Sequence, residues 1–192
     1  MNQPTKIPAT ATILIGGESK RFGSPKWAAS FNGKTVLDHI WNACDCFENR
    51  VVLGKKKPES MAYPFIQDEL DIRSSLNGIY SALNQSDSDW NFIISCDLPL
   101  MTMEIIKLIW ESANDNGDAI VPKVNDFLQP TCAFYHKRIL TQILKQIETG
   151  DLSLHGLLNS INTKTVFMDE NEKEFTNMNT RDDYEKILLE RK

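Results

Sequence analysis

The sequence predicts an α/β fold: one three-layer α/β/α domain around a mostly parallel sheet. Three observations carry this expectation. Short apolar, β-branched runs alternate with amphipathic helical stretches along the chain. The first strong run, "TATILI" (10–15), is continuous, β-branched and short, as a strand buried on both faces is, and "WNFIISCD" (90–97) reads as the central strand. A length of 192 residues suits one core, and the chain carries no repeat, linker or low-complexity segment.

Taken in order, residues 1–9 read as a flexible tail and residues 10–192 as the domain. After the first strand comes a glycine loop, then a short extended piece "AASF" closed by the turn Asn32-Gly33. Thr35 caps a helix with Asp38 three residues on, and Val36, Leu37, Ile40, Trp41, Cys44 and Phe47 fall on one face. Strands follow at "RVVLG" (50–54) and "YPFIQD" (63–68), then a helix over 76–85. The central strand 90–97 stops on Asp97. Thr102 caps a helix ended by Gly117, and strands are expected at 118–122 and 130–135. A helix over 138–148, a strand over 163–168 and a last helix capped by Thr180 complete the order. In that last helix Asp182 and Asp183 precede the basic residues, which suits the helix dipole.

Composition narrows the function. Net charge is −5, so a general nucleic-acid or anionic-membrane surface is not expected. No apolar stretch approaches the roughly 20 residues of a membrane span, and the N-terminus lacks the apolar core of a signal peptide; the cytoplasm is the expected location. Cys44, Cys46, Cys96 and Cys132 form no C-x-x-C pair and read as reduced structural thiols. Cys44 and Cys46 fall in an expected helix, on nearly opposite faces. His39, His136 and His155 lack a matching carboxylate–serine set, so a catalytic histidine is not expected.

Positive charge is instead gathered in "ILIGGESKRFGSPK" (13–26). Neither a Walker A motif nor G-x-G-x-x-G is present there. Gly16 and Gly17 lack β-carbons, so the backbone can approach a ligand closely and adopt positive φ. Exposed N–H groups would make a nest for anionic oxygens. Ser19 adds a hydroxyl, Arg21 a bidentate phosphate grip and Lys26 a mobile point charge. The second landmark, "ISCDLPLM", puts a carboxylate at the end of a central strand, where Asp97 could hold Mg²⁺ beside phosphates.

These two stretches resemble the L-A-G-G-x-S-x-R-M-G-x-x-K and C/G-D-x-P motifs of the MobA family, the molybdenum cofactor guanylyltransferases. "NGKTVLDHIW", "IQDELDIRSSLNGIYSAL", "LQPTCAFY" and "FTNMNTRDDY" resemble further segments of that family in the same order, over about residues 10 to 190. The resemblance implies a Rossmann-like, nucleotide-diphospho-sugar-transferase-like fold. It implies transfer of GMP from GTP to molybdopterin carrying molybdenum, with Mg²⁺ as cofactor and pyrophosphate as leaving group. Cofactor-delivery proteins are a class of partner that it admits.

Residue by residue, the resemblance implies nucleotide binding by Leu14, Ile15, Gly16, Gly17, Ser19, Arg21, Lys26, Asp68 and Asp97. It gives catalysis to Arg21, Lys26 and Asp97, with Asp97 as the metal ligand. For the acceptor it implies Gln129, Asn177 and Asn179; turn residues are the other reading of the asparagines, and a plain surface residue that of Gln129. Some positions depart from the pattern. Ile15 stands where the family has a small alanine, Ser74-Ser75 where it has Gly-Pro, and no asparagine follows "VVLG". A cytidylyltransferase acting on the same cofactor and a non-catalytic nucleotide- or cofactor-binding chaperone are the alternatives.

Overall fold

A computed structural model describes residues 6–16, 25–112 and 117–190. Its elements are β1 (Ile7–Leu14), β2 (Ser30–Phe31), β3 (Lys34–Thr35), α1 (Val36–Ala43), β4 (Phe47–Gly54), β5 (Phe65–Gln67), α2 (Ser75–Gln85), β6 (Trp90–Ser95), α3 (Met103–Glu111), β7 (Ala119–Val124), β8 (Phe127–Leu128), β9 (Cys132–His136), α4 (Leu140–Glu148), α5 (Leu154–Ser160), β10 (Thr163–Phe167) and α6 (Arg181–Glu190). The main sheet runs β10-β7-β9-β6-β1-β4-β5, with β8 paired to β7. Strand β1 is parallel to both neighbours, Ile13 opposing Val52 on one side and Ile94 on the other. Strand β5 is parallel to β4 and β10 to β7, whereas β9 runs antiparallel between β6 and β7.

Side-chain alternation divides the core into two layers. Ala9, Ala11 and Ile13 of β1, with Phe92 and Ile94 of β6, face α1, α3 and α6. Leu14, Leu53 and Ile93 face α2, α4 and α5. Both faces of these strands are covered, which is why their apolar residues do not alternate strictly with exposed ones. At the centre of the first layer Phe92 lies 5.4 Å from Phe47 and 4.8 Å from Phe134, ring centroid to ring centroid.

Local signals set most helix ends. Thr35 and Asp38 form a reciprocal capping box: Asp38 N–H donates to Thr35 Oγ1 at 3.1 Å, and Thr35 N–H to Asp38 Oδ2 at 2.8 Å. Thr102 accepts from Ile105 N–H. Asn32 and Gly33 turn the β2–β3 hairpin with φ of 47° and 76°.

Three expectations need correction. The strand expected from residue 10 begins at Ile7, whose side chain is buried, so residues 7–9 belong to the sheet and not to a tail. Cys44 and Cys46 occupy a 3-10 turn rather than a helix, and both are buried instead of facing opposite ways. The turn hands the chain from α1 directly into β4, so both thiols end beneath it. The helix expected to run to Gly117 has its last described residue at Glu111. Among the elements not anticipated are β3, β8, α5 and a 3-10 segment over Asp169–Phe175.

One polar pair gives the fold a pH signature. The Tyr63 hydroxyl donates to Asp38 Oδ1, and the Tyr63 ring stacks on Trp41 with centroids 4.2 Å apart. Burial pushes the Asp38 carboxyl up, but the bonds from Tyr63 and Thr35 outweigh it and hold it below its ordinary 3.8. Burial and the adjacent Asp38 push the Tyr63 hydroxyl from 10.0 to about 12. A depressed carboxyl stabilises above its unfolded value and loses that contribution as pH falls through the folded value. A raised phenol stabilises below 10.0 and loses its contribution as pH climbs towards about 12. Stability against urea should therefore fall at both ends of the pH range. Tyr63→Phe should remove the alkaline fall and make the acid fall shallower; an unchanged profile would show that this pair is not its source.

Candidate functional site

The carboxyl ends of β5, β4, β1 and β6 leave the sheet side by side at one edge, because these four strands are parallel. Asp68 follows β5, Lys55 follows β4, Ile15 and Gly16 follow β1, and Cys96 and Asp97 follow β6. Backbone bonds extend the ladder just past the strands. Ile15 N–H donates to the Leu53 carbonyl at 2.9 Å, Cys96 N–H to Leu14 at 3.0 Å, and Asp68 N–H to Gly54 at 3.1 Å. An open sheet of this kind binds ligands beyond its carboxyl edge.

Of the glycine loop, Leu14, Ile15 and Gly16 lie within the described residues. Gly17, Ser19 and Arg21 lie outside them. Gly16 is exposed and does not take the expected positive φ. A β-carbon on it would meet no described atom within 4 Å. The Ile15 side chain lies beside Gly54 and Phe65. A β-carbon added to Gly54 would come within 3.0 Å of Ile15 Cγ1 and 3.6 Å of Ile15 Cδ1. Gly54 thus makes room for the branched residue that stands where a small one was expected.

Lys26, Asp97 and Asn179 converge from distant parts of the chain. Lys26 sits in a 3-10 turn behind Pro25, and its ammonium donates to Asn179 Oδ1 at 2.8 Å. Met178 N–H donates to the Asp97 carbonyl at 2.8 Å, which fastens the segment carrying Asn179 to the end of β6. Asp97 Oδ1 is buried with no hydrogen-bond partner among the described residues. Such an atom is costly unless something binds it. The neighbouring Cys96 thiol is pushed up to about 12 by burial and by the Asp97 charge, with Lys26 acting in the opposite sense. The carboxylate and the ammonium are therefore both felt at one buried atom.

Asn177 and Asn179 are exposed on either side of the buried Met178, as an extended chain requires. Asn179 N–H and Thr180 N–H both donate to Asp183 Oδ2, at 3.0 and 2.8 Å, and Asp183 N–H returns a bond to Thr180 Oγ1 at 3.2 Å. Gln129 reaches the same edge because β9 runs against β6; its N–H donates to Pro122 and its side chain bonds back to Phe127. Burial raises the Asp68 carboxyl above its ordinary value, with Lys55 acting in the opposite sense.

His136 opposes Trp90 at the other end of β6, far along the sheet from Asp97. The four cysteines are free and buried; burial keeps Cys96 protonated and pushes Cys46 to about 11. No group of three or more His, Cys, Asp or Glu side chains able to hold a metal occurs among the described residues. No described helix is long and apolar enough to cross a membrane.

Comparison with known proteins gives a consistent picture. The family model of a MobA-like NTP transferase domain matches residues 11–165. A protein of Bacillus anthracis named "Probable molybdenum cofactor guanylyltransferase" is 32% identical, over 90% of this chain and 92% of its own length. The "Molybdenum cofactor guanylyltransferase" of Desulfosudis oleivorans is 28% identical, over 92% and 93%. Among solved structures, molybdopterin-guanine dinucleotide biosynthesis protein A of Archaeoglobus fulgidus superposes with a TM-score of 0.81 at 21% identity, covering 94% of this chain and 97% of that one. The 2-C-methyl-D-erythritol 4-phosphate cytidylyltransferase of Thermus thermophilus gives 0.70 at 13%, covering 94% and 98%. At those identities the two structures establish the shared fold.

The Ile15–Gly54 contact yields a test of the site's frame. Gly54→Ala should destabilise the protein by about 1–3 kcal/mol through overpacking. Adding Ile15→Ala should recover most of that loss in urea denaturation. Failure of the double variant to recover would mean that the two positions do not compensate.

Proposed function

Because the chain belongs to the MobA-like NTP transferase family, we propose that it transfers GMP from GTP to the terminal phosphate of molybdopterin, already carrying molybdenum. An oxygen of the acceptor phosphate forms the new bond to the α-phosphorus, and the bond from the α-phosphorus to the bridging oxygen of pyrophosphate breaks. The observation that supports this reading best is the meeting of Lys26 with the segment fastened to Asp97.

The nucleophile is already anionic, so no strong base is required. The difficulty is to bring two negatively charged phosphates together, which calls for positioning and charge neutralisation. Lys26 would take the charge that builds on the departing pyrophosphate. Gly16 would let the backbone come close to the nucleotide, and Leu14 and Ile15 would hold that backbone in register. Arg21, Ser19 and Gly17 are proposed to add to the same cradle. Asp68 would act on nucleotide binding, Gln129 and Asn177 on the acceptor.

The buried, unpartnered Oδ1 of Asp97 fits Mg²⁺, which commonly takes one or two carboxylates and completes its shell with water and substrate phosphates. When bound, Mg²⁺ supplies charge neutralisation at the phosphates. Free, protonated thiols suit a reducing compartment, and we place the reaction in the cytoplasm.

Lys26→Ala and Asp97→Ala should each keep the wild-type melting behaviour and lose about a hundredfold or more in transfer rate. Asp68→Asn should raise the KM for nucleotide more than it lowers kcat. Pyrophosphate release measured with each of the four NTPs, Mg²⁺ and molybdopterin decides the reaction. A preference for CTP would make the protein a cytidylyltransferase, and tight binding without release would make it a non-catalytic carrier.

A further inference from the structure

We infer that Asn179 is a parking site for the Lys26 ammonium, so that nucleotide binding and exposure of the Asn179 amide are coupled. The inference rests on the reading of Lys26 as a phosphate ligand, and it gives Asn179 a role distinct from a plain acceptor contact.

Three observations build it. The ammonium of Lys26 is satisfied by the side-chain oxygen of Asn179 at 2.8 Å, a neutral acceptor. Asn179 is itself held still: its N–H is gripped by Asp183, the next N–H by the same carboxylate oxygen, and the preceding Met178 is buried and bonded to Asp97. The α6 end is also tied back to the segment that follows Lys26, because the Tyr184 hydroxyl donates to the Ser30 carbonyl. A fixed acceptor thus faces a flexible four-carbon arm, and the arm is the part that can move.

The chemistry of the acceptor matters. An exposed bond from an ammonium to a neutral amide is weak enough for a phosphate to displace, since a phosphate offers Lys26 a charge-assisted bond. A carboxylate in the same place would compete with the phosphate for Lys26. When the ammonium leaves for the nucleotide, the oxygen of Asn179 loses its donor at the edge where the second substrate must arrive. Nucleotide would then bind first, and a donor group on the acceptor would replace the ammonium on Asn179.

The test is the dissociation constant of GTP, measured by calorimetry on the intact protein without acceptor. Asn179→Asp should weaken GTP binding by about tenfold, with the loss shrinking as salt is added. Asn179→Ala should bind GTP as tightly as wild type or more tightly. In the double variant Lys26→Ala/Asn179→Asp the two losses should be clearly less than additive, because the added carboxylate acts through Lys26. Equal weakening by both Asn179 variants would make Asn179 a direct nucleotide contact or a strut and overturn the inference. So would strict additivity in the double variant, or an unchanged GTP affinity in Asn179→Asp. Lys26→Ala alone without weakened GTP binding would instead remove the phosphate role of Lys26 on which the proposed function draws.

Discussion

Strand β1 is hydrogen-bonded on both sides by parallel neighbours, and the rest of the architecture depends on that constraint. Parallel pairing makes β4, β1 and β6 end at the same edge, so the loops after them must be neighbours even though their sequences are far apart. It also prevents hairpin connections. The return from β1 to β4 passes through α1 and that from β5 to β6 through α2, and these two helices cover opposite faces of the sheet. The two apolar layers follow from alternation along strands whose two faces are both covered. The carboxyl edge therefore receives the residues that the chain places just past the parallel strands. Gly16, Asp68 and Asp97 all meet that condition.

Such ends are legible in sequence because the signals are local. Continuous apolar runs marked β1 and β6, and the Thr35–Asp38 pair announced α1 through a bond made within three residues. The Asn32-Gly33 dipeptide announced its turn for the same reason. What could not be read was direction and return. Nothing in "PTCAFY" says that β9 runs against β6, since a buried strand has the same pattern either way. The seven residues of α5 are too few, and too interrupted by Gly156, to show a helical period. The junction of Lys26 with Asn179 spans most of the chain and had no local trace at all. Only the Thr180–Asp183 cap was visible, and a cap says where a helix starts without saying what lies opposite it.

The site's electrostatics are local in a second sense. A protein with a net charge of −5 has no general attraction for a triphosphate. Positive charge has to be delivered at one place, and the cost of holding it there has to stay low. A lysine paired with a carboxylate would be more strongly held but would offer less to an incoming phosphate. Pairing it with an amide keeps the ammonium ordered while leaving its full charge available. The same reasoning applies in reverse to Asp97, whose buried Oδ1 meets no cation among the described residues. Each of the two charged groups is positioned through its surroundings rather than neutralised by the other.

That arrangement explains why the C-terminal segment, although far from the glycine loop in sequence, belongs to the site. Residues 176–180 contribute little apolar surface apart from Met178, yet they are anchored at both ends: by Phe175 and Met178 in the core, and by the Asp183 carboxylate at the start of α6. Such double anchoring is more than a connection between a strand and a helix needs. It fixes the amide of Asn179 beside Lys26 and the N–H of Met178 on Asp97, so one short stretch sets the relation between cation and carboxylate. A change in the helix cap would therefore be felt at the sheet edge, through a backbone too tightly held to absorb it.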